Sequence, residues 1–475
     1  MASNPHRWRI LAVVATAFFM TILDVSIVNV ALPSIGEDLE FSRENLQWII
    51  TAYSIAFGGF LMLGGRAADL LGRRRVFLVG VTLFTAASLV CGLAGSEVML
   101  IVARAVQGLG GAIISPAALS IVMTSFEEGA ERNKALGIWG ALGGSGAAVG
   151  VLAGGVLTEQ FGWEWIFWVN VPIGALVLAL TLFVVPESFR ETARRRYDPL
   201  GAITVTAGLA LLVYAISEAP NVGWMTARTI LLLVAAGALL LGFLVIERTV
   251  EEPLMPFRIF RVQTVAGANA VGALLGAVIF ANFFLLTLYV QNVLGFSAMR
   301  TGVTFLATAG TAVISAGVAQ ALTTRFGAKP IMTIGLLLLT GAMVWYAQIP
   351  ADGSYAADLL PGYLMVGVGI AFSFVPVSIA ALAGVAEREA GLASGLINTS
   401  QQIGGALGVA VASTVLTSRF DSLTEEGAAL PEALTGGSRW AFWALAVFGA
   451  AAVVAAVTVI RREELAESPT TAPAA

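Results

Sequence analysis

The fold class this chain predicts is an all-helical membrane protein of fourteen spans, and three observations lead there. Of its 475 residues, 58% are hydrophobic and only 12% charged, with a mean hydropathy of +0.87. A soluble domain carries about 25% charged residues, so little of this chain is built to face water. The apolar residues fall in runs of about 20, long enough to cross a ~30 Å hydrocarbon core as helices. The 52 glycines fit the same picture, because small residues let helix backbones approach closely where no hydrophobic force joins them.

The predicted spans follow in order near 9–32, 45–65, 76–95, 98–123, 134–158, 164–185 and 199–217, then 228–247, 264–290, 301–322, 330–349, 358–383, 391–417 and 440–460. Each is bounded by a short loop that holds the neighbouring charges. The first is predicted to reach its outer end at Pro33. The ninth carries Asn269, Asn282 and Gln291 yet no charge. The first apolar run continues past a signal-peptide length and lacks a small-residue cleavage site, so no cleavable leader is expected. Cys91 is the single cysteine and His6 the single histidine, and the loop carboxylates are scattered. No disulfide, metal, cofactor or nucleic-acid partner is therefore expected.

Lys and Arg set the orientation. With the N-terminus inside, cytoplasmic segments hold about twenty of the 26 basic residues, including Arg73-Arg74-Arg75, Arg194-Arg195-Arg196 and Arg461-Arg462. External loops hold Arg43, Arg228, Arg300, Arg419 and Arg439, and Arg104 lies within a span. That bias places both termini in the cytoplasm of a multi-pass protein of the cytoplasmic membrane and requires an even number of spans.

Spans one to six and nine to fourteen read as diverged copies. The loop GGRAADLLGRRRVFLVG has an echo in AQALTTRFGAKPIMTIG, matching Gly72 with Gly327 and Gly80 with Gly335. ALGIWGALGGSGAAVG aligns with ASGLINTSQQIGGALG, pairing Gly137 with Gly395, Gly146 with Gly404 and Gly150 with Gly408. Similar halves of six helices are the trace of a transporter that rocks about a midplane site. The expected domains are a six-helix bundle over 1–190, an inserted two-helix linker over 191–255, a second bundle over 256–465 and a disordered tail over 466–475.

The most informative residue is Asp24, in the middle of span one. A carboxylate at membrane depth is costly and marks an ion, proton or substrate site by default. Asp24 lies nine residues before Pro33 and Arg104 seven after Glu97, on helices entering from the same side. At 1.5 Å per residue these are depths of roughly 13 and 10 Å, so the two charges can meet, and each would be stranded without the other. Asp24 is read as the proton carrier and Arg104 as the group that sets its affinity, against the plainer alternative of a static structural pair. In the short loop after span two, Asp69 sits close to Arg73 and a helix end, the makings of a latch that one orientation of the halves closes and the other opens.

Four motifs, in order, give the chain a resemblance to the major facilitator superfamily, and within it to the fourteen-span drug:proton antiporter branch. Span one has L-D-V-S-I-V-N-V-A-L-P (23–33), and the cytoplasmic loop has Gly65, Asp69, Gly72, Arg73 and Arg74 in family spacing. Span four has Arg104, Gln107, Gly108, Gly110 and Gly111. Span five has Gly137, Gly146, Gly150, Gly154 and Gly155, followed by W-I-F-W-V-N-V-P-I-G (165–174). The resemblance covers nearly the whole chain. It implies two six-helix bundles with two extra helices, and export of a hydrophobic drug or metabolite in exchange for protons. Two departures stand out: Val151 replaces the usual proline of the antiporter motif, and Leu70 replaces the usual arginine after Asp69. The glycines of span five are expected to pack that helix across the interface between the halves and seal it against proton leak, or else to serve ordinary helix packing.

Substrate contacts are expected from aromatic and amide side chains. Asn29, Trp48, Tyr53, Gln107, Phe284, Gln291 and Asn398 are the candidates. Apart from Asp24 no carboxylate lies deep in a span, so the cargo is expected to be a small neutral, amphipathic or weakly acidic compound, carried by a monomer. An uptake carrier of the same fold and a non-transporting membrane sensor or scaffold are the alternatives. A nucleotide-driven pump is disfavoured, since the chain has no G-x4-G-K-[ST] loop. No catalytic residue is expected.

Overall fold

A computed structural model describes residues 6–126, 130–187, 198–250, 253, 255, 257–382 and 390–460. The expected tail and the basic clusters 194–196 and 461–462 lie outside them. Among the described residues there is no strand, and thirteen helices are long and apolar enough to cross a membrane, with an apolar stretch Val149–Phe161 besides.

The first helices are α1 (Arg7–Asp38), α2 (Arg43–Leu46), α3 (Trp48–Leu71), α4 (Arg73–Gly92), α5 (Glu97–Ser125) and α6 (Ala130–Phe161). They are followed by α7 (Trp165–Trp168), α8 (Asn170–Val184), α9 (Pro199–Val222), α10 (Ala227–Thr249) and α11 (Gln263–Asn292). The last are α12 (Ala298–Phe326), α13 (Ala328–Tyr346), α14 (Leu360–Leu382), α15 (Ala390–Glu425) and α16 (Leu430–Thr458).

Three boundaries differ from expectation. Pro33 does not end α1, which runs on to Asp38 with the proline buried inside it. Asp24 therefore stands near the middle of a 32-residue helix, roughly 21 Å from its far end rather than 13. A proline forfeits one helical hydrogen bond, and packed neighbours allow the helix to continue regardless. α15 and α16 reach Glu425 and begin at Leu430, because helices continue beyond the apolar stretch that hydropathy registers. The sixth span is two helices. Pro172 has no N–H and its ring opposes the carbonyl four residues back, at Trp168, where α7 stops. Asn170 consequently opens α8.

The chain forms two compact units. The first comprises Met1–Ala210, Ala238–Leu254 and Ser297–Val303; the second comprises Leu211–Gly237, Met255–Phe296 and Thr304–Ala475. Within the first, α1 packs on α5, α6 and α8, and α4 packs on α5 and α8. Within the second, α11 packs on α14, α15 and α16, and α13 packs on α14 and α16. One pattern of neighbours thus recurs in both.

Glycines fix the register between the two patterns. Gly72 and Gly327, matched by sequence, both adopt left-handed φ (102° and 87°) at the turns into α4 and α13. A methyl group on Gly110 would lie 2.7 Å from the Phe84 amide, and one on Gly369 2.7 Å from Leu339 Cγ. Gly174 closes on Thr85 as Gly449 closes on Thr340. Gly150 covers the carbonyl of Leu23 as Gly408 covers that of Ala277. Such approaches admit only glycine, so the same crossings recur at matched positions.

Candidate functional site

Five helical segments of the first unit converge on Asp24, which has no exposed surface. From α5, Arg104 Nη1 donates to Asp24 Oδ2 at 2.5 Å and to Gln107 Oε1 at 2.6 Å. Gln107, one turn further along the same helix, donates through Nε2 to Asp24 Oδ1 at 2.7 Å and to Ser88 Oγ at 3.1 Å. From the start of α8, Asn170 Nδ2 donates to Asp24 Oδ1 at 3.0 Å and to the same Ser88 hydroxyl at 3.1 Å. Ser88, on α4, donates its hydroxyl hydrogen bond to the Phe167 carbonyl of α7 at 2.9 Å. On α3, the Ile49 carbonyl accepts from Arg104 Nε at 3.0 Å and the Tyr53 ring lies 4.5 Å from the guanidinium carbon.

The arrangement has a clear chemical sense. Asp24 receives three N–H donors, which suits a carboxylate carrying its charge. Arg104 is 1% exposed and Gln107, Ser88 and Asn170 are fully buried. Two opposite charges held in a water-free bundle keep each other from being stranded.

The structure brings together four of the sequence-predicted site residues: Asp24, Arg104, Gln107 and Tyr53. Two of the four change role. Gln107 and Tyr53 were expected along a substrate path. Gln107 instead spends its amide on the ion pair, and Tyr53, 1% exposed, covers Arg104. The remaining cavity candidates have surroundings of their own. Asn29 is bonded to the Val25 carbonyl of its own helix. Trp48 is half-buried at the start of α3. In the second unit Phe284 is a core residue, 1% exposed, because its ring packs inside the bundle. Gln291 is half-buried at the end of α11, and Asn398 is exposed with its amide on the Ser394 carbonyl.

In the cytoplasmic-loop motif, Gly65 packs on Pro116 and Gly72 makes the turn between α3 and α4. Arg73 is buried. The Arg74 amide donates to Glu187 at 3.1 Å and its side chain to the Leu182 carbonyl at 3.2 Å, while Arg75 pairs with Glu187 at 3.6 Å. A carboxylate thus sits at the positive end of α4, and it comes from Glu187, a residue the sequence reading missed. The side chain of Asp69 and the surroundings of Gly137 lie outside the described residues.

The antiporter glycines divide. Gly146, Gly150 and Gly154 pack on α1, a neighbour in the same unit, rather than across an interface between halves. The reason is that Ile22, Leu23, Ser26 and Ile27 of α1 approach too closely for any side chain. Gly155 packs on Ala298 and Met299. Val151, in place of the usual proline, is buried, and its carbonyl lies against Gly302.

Ser88 and Asn170 escaped the sequence reading as site residues. Asn170 did carry signals, since it lies within the 165–174 motif and is an amide in an apolar stretch two residues ahead of a helix-breaking proline.

A bundle of membrane-length helices built around a sealed ion pair defines a polytopic membrane transporter rather than an enzyme. The chain belongs to the Major Facilitator Superfamily, whose sequence profile matches residues 14–409. It is 39% identical over 472 residues to the puromycin resistance protein pur8 of Streptomyces alboniger, covering 98% of this chain and 93% of that one. It is also 39% identical over 409 residues to the cephamycin export protein CmcT of Amycolatopsis lactamdurans, covering 85% and 84%. The multidrug resistance protein Stp of Mycobacterium tuberculosis is 36% identical over 422 residues, covering 88% and 78%. Among solved structures, the nucleoside transporter NupG matches in fold with a TM-score of 0.68 at 14% identity, covering 95% of this chain and all of that one. A bacterial homolog of the human lysosomal transporter Spinster matches with 0.68 at 17% identity, covering 98% and 100%.

Proposed function

We propose that this chain exports hydrophobic or amphipathic drugs, antibiotics or secondary metabolites across the cytoplasmic membrane, driven by protons moving the other way. The observation that carries the reading is the buried Asp24–Arg104 pair, held with three donors on the carboxylate and no exposed surface. Relatives named for puromycin resistance, cephamycin export and multidrug resistance support the direction and the class of cargo.

In the cycle we propose, the charged pair holds one conformation of the bundle. Protonation of Asp24 cancels its charge and leaves Arg104 buried without a counter-ion, a state costly enough to favour rearrangement of the helices that carry them. Release of the proton restores the pair. Because the carboxylate is sealed in one state, proton entry is tied to conformational change, which is what coupling requires. The two halves, 1–190 and 256–465, alternate access with 191–255 as linker, both termini lie in the cytoplasm, and the monomer suffices. Gly65, Asp69, Gly72, Arg73 and Arg74 form the cytoplasmic latch.

A drug-susceptibility panel in an efflux-deficient host tests this directly, with puromycin among the compounds. Wild type confers tolerance to at least one compound and Asp24→Asn, at equal membrane level, does not. Equal tolerance from both proteins would remove Asp24 from coupling. Accumulation of the same compound in everted vesicles on acidification of their interior separates export from uptake.

A further inference from the structure

We infer that Asn170 is a positioning residue for the proton site, holding Asp24 in its charged form through one N–H and tying that hold to Ser88. The inference rests on the reading of Asp24 as the proton carrier.

Three observations carry it. The first is geometry: Asn170 Nδ2 reaches Asp24 Oδ1 at 3.0 Å and Ser88 Oγ at 3.1 Å, so one amide group spans the carboxylate and the hydroxyl that also takes Gln107. The second is cost. Asn170 is fully buried, and its carbonyl oxygen Oδ1 has no hydrogen-bond partner. A buried acceptor left unmet is destabilising, so packing alone does not favour an amide here.

The third is the second unit, which holds the same fold without the amide. Asn170 precedes Gly174 by four residues, and Gly174 packs on Thr85; Leu445 precedes Gly449 by four, and Gly449 packs on Thr340. Leu445 is fully buried. The same counting places Val278 opposite Asp24, Met343 opposite Ser88 and Val366 opposite Gln107. A leucine therefore satisfies this position wherever no carboxylate needs a donor. The amide is present where the acid is present and absent where it is absent.

Among the described residues, the ionisable groups around Asp24 are Arg104 from α5, Tyr53 from α3 and Cys91 from α4. α6 presents Gly146 and Gly150 to α1, and α7 and α8 present Phe167 and Asn170, none of which titrates. Removing the Asn170 donor leaves all of these in place. It withdraws one hydrogen bond from the charged carboxylate, so the neutral form gains, and proton binding moves to more alkaline pH.

Infrared titration of the purified full chain tests this without any cargo. The carboxylic-acid band that disappears in Asp24→Asn reports protonation at this site. In Asn170→Leu the midpoint of that band moves up by about one to two pH units, the range expected for a hydrogen bond to a charged group, while membrane yield holds. Asn170→Ala, which removes the same donor with a smaller side chain, moves the midpoint the same way. A band present in wild type but unmoved in both variants overturns the inference while leaving the Asp24 reading intact. Should Asn170→Leu fail to accumulate, an unmoved Asn170→Ala midpoint alone overturns it. If no band is lost in Asp24→Asn at any pH, the Asp24 reading itself fails and this inference with it.

Discussion

Tyr363 stands in the second unit where Arg104 stands in the first. Each lies six residues before a glycine, Gly369 or Gly110, that closes on the neighbouring helix at Leu339 or Phe84. Around Arg104 are Asp24, Gln107 and Tyr53; around Tyr363 are Phe305, Tyr346 and Tyr355, with ring centroids 5.3 to 6.2 Å away. One packing scheme thus carries an ionic core in one unit and an aromatic core in the other.

That contrast makes the charges separable from the fold. Arg104→Met leaves Asp24 buried without its counter-ion and is expected to destabilise the protein by about 3–5 kcal/mol. The double change Asp24→Asn with Arg104→Met removes both charges and is expected to recover most of the loss. Thermal unfolding in detergent and membrane yield measure both. A double variant as unstable as the single one would contradict the pairing.

Tyr53 contributes its ring and not its hydroxyl. The hydroxyl is buried and has no hydrogen-bond partner, while the ring covers the guanidinium. Tyr53→Phe is accordingly expected to be neutral or to stabilise by about 1 kcal/mol, since no bond is lost and an unmet buried hydroxyl is removed. Tyr53→Ala opens a cavity over a buried cation and is expected to cost about 3 kcal/mol. Thermal unfolding of the two variants in parallel checks the difference, and equal losses would contradict it.

Helix contacts through glycine set a third expectation. A methyl at Gly110 meets the Phe84 backbone at 2.7 and 2.8 Å, whereas one at Gly237 meets nothing within 4 Å. Gly110→Ala is expected to lower both yield and melting temperature. Gly237→Ala is expected to be neutral or to stabilise by up to about 1 kcal/mol through helix propensity. The contrast is read from paired expression and unfolding measurements.

Much of this was legible in the sequence. Charge-free runs announced the helices, and counting residues along spans one and four brought Asp24 and Arg104 together, even though the assumed end at Pro33 was wrong. The contact survived because both residues sit deep enough for the error to matter little. The role of Gln107 was not legible. An amide in an apolar helix is equally consistent with lining a path and with binding a buried charge, and only the rotation of α5 decides. Ser88 and Asn170 were hidden for the same reason, since serine and asparagine in membrane helices commonly satisfy their own backbone, as Asn29 does here. The glycine pairing Gly72–Gly327 was legible because a left-handed turn between helices tolerates little else. The direction in which the span-five glycines face was not, because a run of small residues reads alike from every side.

Proteoliposomes with an imposed pH gradient test most directly whether Asp24 links proton movement to drug movement, as proposed. Wild-type protein is expected to concentrate a compound to which it confers tolerance in the acidic compartment above equilibrium, while Asp24→Asn, folded and reconstituted at the same density, only equilibrates it. Gradient-driven accumulation by Asp24→Asn equal to that of wild type would contradict the account.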